Sequence, residues 1–479
     1  MNINPIQRQT LLSFGSLIAL SGIGYISTFY FAHYLGPAVL GSFFLFLAYY
    51  GIFDLIGDGG FGGAAVKRIS EGKLQNEFYS AYIILRIILL CLSIVVFIII
   101  SPALSGIQEN GLLVWLIIAL IIGTLYSIFG TNLYGTAQVG VLQVSILANT
   151  IVKNIVQILA VFIGFGIGGL VFGFIAGLIA AAVLNSRYLR LTFSQCDRSH
   201  FDGLLAFSIW TFLSSGGILI FTYADTILIG QFMTEADVGI YRVAFQLTSV
   251  ASFMVIAFHT VLYPRISRWH AENNITMIEH ALTRSFTYSL FLAIPVTVGG
   301  ILLSDQLLYY LYGASFVSGA PVLAILLFVQ IANIFLYLQT MCLNAMDRPR
   351  ISFYITAVSA VLNILLNIIL IPPMGITGAA IASLATMSMN AVLAYVMLRS
   401  WLTIKIDLRS VVNLIISALG MTAFLVISTY LFPIQSFVGL GLAIGIGAIL
   451  YFVLVLKIDR SIRSDLKILL DTMNLPFLA

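Results

Sequence analysis

Charge is what this sequence lacks most. Only 8% of its 479 residues are Asp, Glu, Lys or Arg, against 61% hydrophobic, which leaves too little polar surface to coat a soluble globule. Cysteine is scarce too. Cys91, Cys196 and Cys342 stand far apart, with neither pairing nor metal-ligand spacing, so a disulfide framework and a zinc site are both unsupported. No Gly-Lys-Ser/Thr phosphate loop, nucleophile elbow or zinc-binding helix occurs. That removes ATP hydrolysis and covalent catalysis and leaves no cofactor or metal to expect; work against a gradient then needs proton or sodium coupling, or consumption of the product on the far side. A small-residue cleavage site after the first apolar stretch is missing, so this stretch reads as a retained helix. The alternation of apolar and polar residues over about ten positions that marks an outer-membrane barrel is missing as well. Helices are the spanning structure that remains.

What is present is a series of apolar windows of about 20 residues, long enough to cross a hydrocarbon layer of roughly 30 Å. They predict an all-α polytopic membrane protein with fourteen transmembrane helices at 11–34, 38–62, 79–101, 111–135, 141–164, 167–190, 203–230, 238–263, 283–304, 318–343, 351–371, 376–401, 409–432 and 435–457. Basic residues test the count, because those beside spans stay on the cytoplasmic side. With the N-terminus inside, Arg8, Lys67, Arg68, Lys73, Arg187, Arg190, Arg198, Arg265, Arg268, Arg284, Arg348, Arg350, Arg399, Lys405, Arg409 and the tail cations all fall on inner segments. Outer loops carry Glu109, Glu235, Asp237 and Asp305 instead. The formal charge of +4 is therefore a topology signal, not a nucleic-acid footprint. Two inner segments, Arg265–Arg284 and the tail around Ile462, Leu466, Leu469, Leu470 and Met473, read as interfacial amphipathic helices.

The chain is organised around Leu35–Ser70: a Gly36-Pro37 turn, an apolar span with Asp54 and Asp58, a glycine cluster at Gly57–Gly63, and a basic exit ending Arg68-Ile69-Ser70. The same order returns roughly 195 residues later, allowing a few-residue insertion in the turn: Leu35-Gly36, Gly41 and Arg68-Ile69-Ser70 are matched by Ile229-Gly230, Gly239 and Arg265-Ile266-Ser267. Asn154, Gly166-Ile167, Gly169 and Arg190 likewise recur as Asn363, Gly375-Ile376, Gly378 and Arg399 at one constant offset. Six spans separate equivalent helices, so the halves insert with one orientation and are related by a pseudo-twofold along the membrane normal. This gives an N-lobe over 1–199, a C-lobe over 200–404, and two appended helices with an amphipathic tail over 405–479.

Charges inside hydrocarbon cost several kcal/mol each, so every one needs a partner or a wet cavity. Tyr50, Asp54 and Asp58 share one face of span two, and Arg86 enters span three at similar depth. A structural pair between Arg86 and either carboxylate and a cation or proton site are both open readings. On span five Asn149, Lys153 and Gln157 form a polar stripe with no acidic residue in reach on that helix, which makes Lys153 the best anion-binding candidate. Satisfaction by carbonyls, Asn154 or Asp54 is its bland alternative. Arg242, Gln246 and Ser249 line span eight, with Asp225 on span seven as structural partner or separate functional group. Gln330, Asn333, Asn363 and Asn367 read as bonds between helices.

The run Asp58-Gly-Gly-Phe61, Ala64-Ala65, Arg68-Ile69-Ser70-Glu71-Gly72 resembles the second-span signature of the Wzx-type polysaccharide exporters. These are lipid-linked oligosaccharide flippases of the superfamily that also holds multidrug and toxin extruders and lipid II flippases. Asp225, Ile229-Gly230 and Val238-Gly239-Ile240-Tyr241 look like its seventh-to-eighth-span passage. The resemblance implies two lobes around a chamber that opens alternately to each side, in the cell membrane with both termini cytoplasmic. A polyprenyl-(pyro)phosphate-linked glycan would be its substrate and glycan-assembly enzymes its partners. Lys153, Arg242, Arg86, Asn149, Gln157 and Gln246 become substrate-binding candidates, and Asp54, Asp58 and Asp225 ion-coupling candidates. An ion-coupled drug or metabolite antiporter of the same superfamily is the nearest alternative. A glycan polymerase or ligase would need acceptor chemistry at outer loops, which are short and lack Arg and His; a passive scaffold would not carry six buried charges.

Overall fold

The computed structural model describes residues 5–108 and 110–465, with side chains described from residue 22 onward except at 214 and 218. Every regular element among these is helical: α1 (Pro5–Asp58), α2 (Phe61–Ser70), α3 (Gln75–Ile100), α4 (Leu113–Gly135), α5 (Val139–Phe162), α6 (Gly166–Ser186), α7 (Arg198–Phe232), α8 (Glu235–Thr248), α9 (Phe253–Ala271), α10 (Ile275–Leu302), α11 (Ser304–Tyr312), α12 (Ala320–Ala345), α13 (Pro349–Leu398), α14 (Leu408–Leu431) and α15 (Phe437–Ile458), with short 3₁₀ turns between some of them. Among the described residues, 11 helical stretches are long and apolar enough to cross a membrane, or 12 if the bent pair within α7 is one span.

Two helices are too long for one crossing. At about 1.5 Å per residue against roughly 30 Å of hydrocarbon, the 54 residues of α1 and the 50 of α13 each provide two spans. Each contains one non-helical residue where the sequence puts a turn, Gly36 (φ 73°) and Gly375 (φ 60°). Counting both as two raises the 12 by two, to the fourteen expected. Pro372 and Pro373 stand just before Gly375, where their missing N–H groups weaken the helix that must end.

Contacts divide the chain into units Met1–Arg242 and Val243–Ala479. In the first, α2 packs on α3, α4 and α7, and α5 pairs closely with α6. Phe61, Ala64, Ala65 and Ile69 of α2 meet Tyr79 and Tyr82 of α3 in one buried cluster. In the second, α12 packs against α10 and α13, and the α14–α15 pair lies on α10 through Leu414, Met421, Tyr451 and Val455.

One expected element takes another form. Arg265–Arg284 is not a helix in the interface plane: α9 continues to Ala271, the chain turns at Asn273 (φ 55°), and α10 starts at Ile275 with Asn274 accepting from the Met277 N–H. Ile266 and Ile278 are buried in the core, so the amphipathic pattern marks a helical hairpin with its own apolar seam. Leu466, Lys467, Leu469, Leu470 and Met473 of the expected tail helix, Glu109, and the Arg8 side chain lie outside the described residues.

Candidate functional site: buried charges and a double closure on span two

Span two is the part of α1 beyond Gly36, and it ends where Gly59 and Gly60 adopt φ of 58° and 76°, a region open to glycine with little strain. The break frees the last helical turn around Asp58, whose Oδ2 accepts the Gly62 N–H at 3.2 Å. Arg86, on α3, is fully buried. Its Nη2 donates to Asp54 Oδ1 in a short ion pair, its Nη1 donates to the Asp54 carbonyl at 2.9 Å, and Asp58 Oδ1 lies 3.7 Å from Nη1. Tyr82, one helical turn before Arg86, hydrogen-bonds Ser127 at 3.2 Å and reaches Asp58 at 3.5 Å. Both of the pairings the sequence left open are therefore made at once. A guanidinium between two carboxylates leaves one negative charge over, and both carboxylates keep some exposure, 33% for Asp54 and 22% for Asp58. A partly exposed cluster of net charge −1 within a span can take up one cation.

Lys153 has a different setting. It lies midway along α5, half-buried, with no ion pair or hydrogen bond among the described residues. The close α5–α6 approach fixes the base of its side chain, because a Cβ on Gly177 would press on the Asn149 carbonyl and on Lys153 Cβ. Gln157 does not stay available as a lining group. It is 2% exposed and its Nε2 donates to the Leu170 carbonyl at 2.7 Å, a bond that ties α5 to α6. Asn149 is half-buried on the same stripe.

Arg242 donates to the Thr222 carbonyl at 3.2 Å, with its guanidinium over the rings of Phe44 (5.6 Å) and Tyr223 (5.9 Å), which is favourable for a cation on an aromatic face. Asp225, buried on α7, accepts a short hydrogen bond from the Tyr241 hydroxyl. Gln246 follows Arg242 by one turn of α8.

Span two meets the α7–α8 segment at both of its ends. Near Gly41, a Cβ would collide with the Glu235 carbonyl, and a Cβ on Gly239 would collide with the Pro37 carbonyl. Each glycine thus faces the carbonyl four residues before the other, the reciprocity that a local two-fold produces. Gly41 and Gly239 are the repeat-equivalent residues of the sequence, and here the two copies touch. The contact is sealed by Glu235, whose carboxylate accepts from the Ser42 hydroxyl and from Asn110 Nδ2 at 2.8 Å, while Ser105 donates to Gln231 at 3.3 Å. At the other end, Gly60 abuts the Ser208 carbonyl and Phe212 N, Lys67 lies 4.2 Å over the Phe207 ring, and Arg68 Nε donates to the Gly203 carbonyl at 3.3 Å.

The Glu235–Ser42–Asn110 cluster was not among the sequence candidates, since an acidic residue in a loop between spans reads as ordinary loop polarity; its signal was its place just before the repeated Gly239. Tyr82 was legible as the residue one turn before Arg86 on the same face. Tyr241 stood inside the Val238–Tyr241 motif.

Duplicated spans, paired and unpaired intramembrane charges, and a span closed at both ends define a multi-span membrane protein with the fold of the MOP-superfamily transporters. The chain belongs to the polysaccharide biosynthesis protein family, whose profile matches residues 6–270, and a MatE profile matches residues 211–369. It is 28% identical over 449 residues to the probable low-salt glycan biosynthesis flippase Agl15 of Haloferax volcanii, covering 93% of this chain and 94% of that one. It is 29% identical over 247 residues to the probable flippase AglR of the same organism, or 51% of this chain and 52% of that one. In three dimensions it is similar to the lipid II flippase MurJ in an inward closed conformation (TM-score 0.80, 17% identity, 94% of this chain and 99% of the other). A multidrug resistance MATE family transporter in an inward-facing conformation is also similar (TM-score 0.64, 16% identity, 80% and 94%). At these identities the structural likenesses speak for the fold.

Proposed function

We propose that this protein is a flippase that carries a polyprenyl-(pyro)phosphate-linked oligosaccharide from the cytoplasmic to the outer leaflet of the cell membrane, feeding assembly of a surface polysaccharide or glycoprotein glycan by partner enzymes. Both termini are cytoplasmic in this reading. Transport proceeds by alternating access, with 1–199 and 200–404 as the moving lobes and 405–479 as an appendage. The observation that carries the reading is Lys153, a cation within a span that has no counter-charge among the described residues. Such a residue is costly in hydrocarbon unless something anionic visits it, and a phosphate-linked lipid brings that charge. Arg242, held against Phe44 and Tyr223, is the second cation for phosphate or sugar. The family, matched over residues 6–270, and the probable flippase Agl15, similar along nearly the whole chain, support the same substrate class.

The Asp54–Arg86–Asp58 cluster is the coupling site in this proposal, taking up one proton or sodium ion per cycle against its surplus negative charge, and Asp225 is a secondary candidate. That cluster is also what favours the second reading, an ion-coupled drug or metabolite antiporter. The experiment is reconstitution of the purified chain in vesicles with fluorescent polyprenyl-diphosphate-linked oligosaccharide in the inner leaflet, scored by loss of label to an impermeant quencher. Accelerated crossing supports the flippase. No acceleration, together with ion-driven movement of small cationic compounds, replaces it with the antiporter.

A further inference from the structure

We infer that the second unit holds one chain of an anionic phospholipid of the inner leaflet in a groove between α10, α12 and the second half of α13. The groove has a volume of about 530 Å³ and is lined almost wholly by hydrocarbon and aromatic side chains, within the usual size range of ligand sites. Its shape fits a lipid tail. Along α12 it runs from Phe328 to Gln339 and along α13 from Leu384 to Tyr395; eleven residues on either helix correspond to about 16 Å at ~1.5 Å each. That is close to half the roughly 30 Å hydrocarbon thickness, the depth of a single leaflet, and it lies parallel to the helices as an ordered tail does.

One end of the groove is different in chemistry from the other. Ile404 and Ile406, from the segment joining α13 to α14, floor it, and this segment is pinned by Glu279, whose carboxylate accepts the Thr403 N–H. Between those isoleucines stands Lys405, flanked in sequence by Arg399 and Arg409; all three are exposed and none is in an ion pair among the described residues. Lys405 and its sequence neighbours Arg399 and Arg409 outnumber the Glu279 and Asp407 carboxylates at this segment, and the net positive charge is complementary to an anionic head. At the same end, Gln339 is 3% exposed and its Oε1 has no hydrogen-bond partner. A buried amide acceptor left unsatisfied carries its desolvation cost with nothing to offset it. A head-group hydroxyl, or water carried with it, supplies the missing donor, whereas a groove meant to be filled by protein alone has no use for it.

The test is to incubate the full-length purified protein with equal phosphatidylglycerol and phosphatidylcholine, remove free lipid and quantify what is retained. Several-fold enrichment of phosphatidylglycerol is expected, with loss of that preference in Lys405→Gln/Arg409→Gln and loss of one retained lipid in the groove-filling variants Ala391→Trp and Ser388→Trp. Equal retention of the two lipids, or undiminished retention in a monodisperse groove-filled variant, overturns the inference. Should both filled variants aggregate, phosphatidylglycerol with a photoreactive tail is crosslinked to the unaltered protein. Label on α12 and α13 peptides around Phe328, Leu384 and Tyr395 supports the groove, and label confined to other helices overturns it.

Discussion

Replacing Arg86 with leucine removes the one cation that pairs with Asp54 and Asp58 among the described residues and leaves both carboxylates inside a span. Removing one partner of a buried ion pair costs about 3–5 kcal/mol. The lower end applies, because the carboxylates keep 33% and 22% exposure and Asp58 retains the Gly62 N–H and the Tyr82 hydroxyl. About 3 kcal/mol, at ~2–4 °C per kcal/mol for a domain of 150–250 residues, lowers the apparent melting temperature by about 6–12 °C. The assay is thermal unfolding in detergent, followed by loss of the monodisperse peak in size exclusion. Neutralising the whole cluster, Asp54→Asn/Arg86→Leu/Asp58→Asn, leaves no uncompensated charge and regains most of the loss. Unchanged melting of Arg86→Leu, or a triple variant no better than the single one, would refute the electrostatic account of the cluster.

Lys153→Ala is expected to slow glycan-lipid flipping at unchanged abundance while Lys153→Arg keeps most of it; equal rates for all three proteins take Lys153 out of the mechanism. Asp54→Asn and Asp58→Asn each remove the surplus negative charge, so transport by either variant should no longer respond to an imposed proton or sodium gradient, measured in the same vesicles. Gly239→Val puts a side chain against the Pro37 carbonyl and should hold that end apart, read as faster labelling of Ser42→Cys by an impermeant maleimide than in the Gly239 background. Gln157→Leu removes the bond to the Leu170 carbonyl and should destabilise the protein by about 1 kcal/mol with little effect on transport per folded molecule. At the far end of the chain, burial raises the Asp459 carboxyl, but the hydrogen bonds from Ile462, Asn413 and Ser410 outweigh it and hold the group below the usual carboxylate range. Its contribution to stability is therefore present above pH ~4 and fades as pH falls through the lowered folded value. Asp459→Asn should accordingly flatten the acid limb of the melting curve.

Hydropathy carried most of the architecture, because a span must be apolar around its full circumference wherever it meets lipid and basic residues fix which ends are alike. That is why fourteen spans emerge even where the chain runs through Gly36 and Gly375 without a polar loop. Repetition carried the rest, through glycines that recur where helices touch. What the pattern could not supply is partner identity. Gln157 and Lys153 lie one turn apart on one polar face, yet the first is spent on the Leu170 carbonyl and the second has no partner among the described residues. Arg265–Arg284 shows the same limit, since amphipathic periodicity describes a helix lying on a membrane and a hairpin with its own seam equally well. Glu235 was hidden for another reason: its role depends on Ser42 and Asn110, both remote in sequence, and only the contact at the two repeated glycines brings them together.

The reciprocal seat of Gly41 and Gly239 also bears on ancestry. If a single unit once assembled as a symmetric pair, the residue at this position met its own copy across the axis, and any side chain there would have been counted twice in one crowded spot. Neither residue can grow here while the other stays, so within one continuous chain this small place carries the kind of mutual constraint that joins two identical subunits.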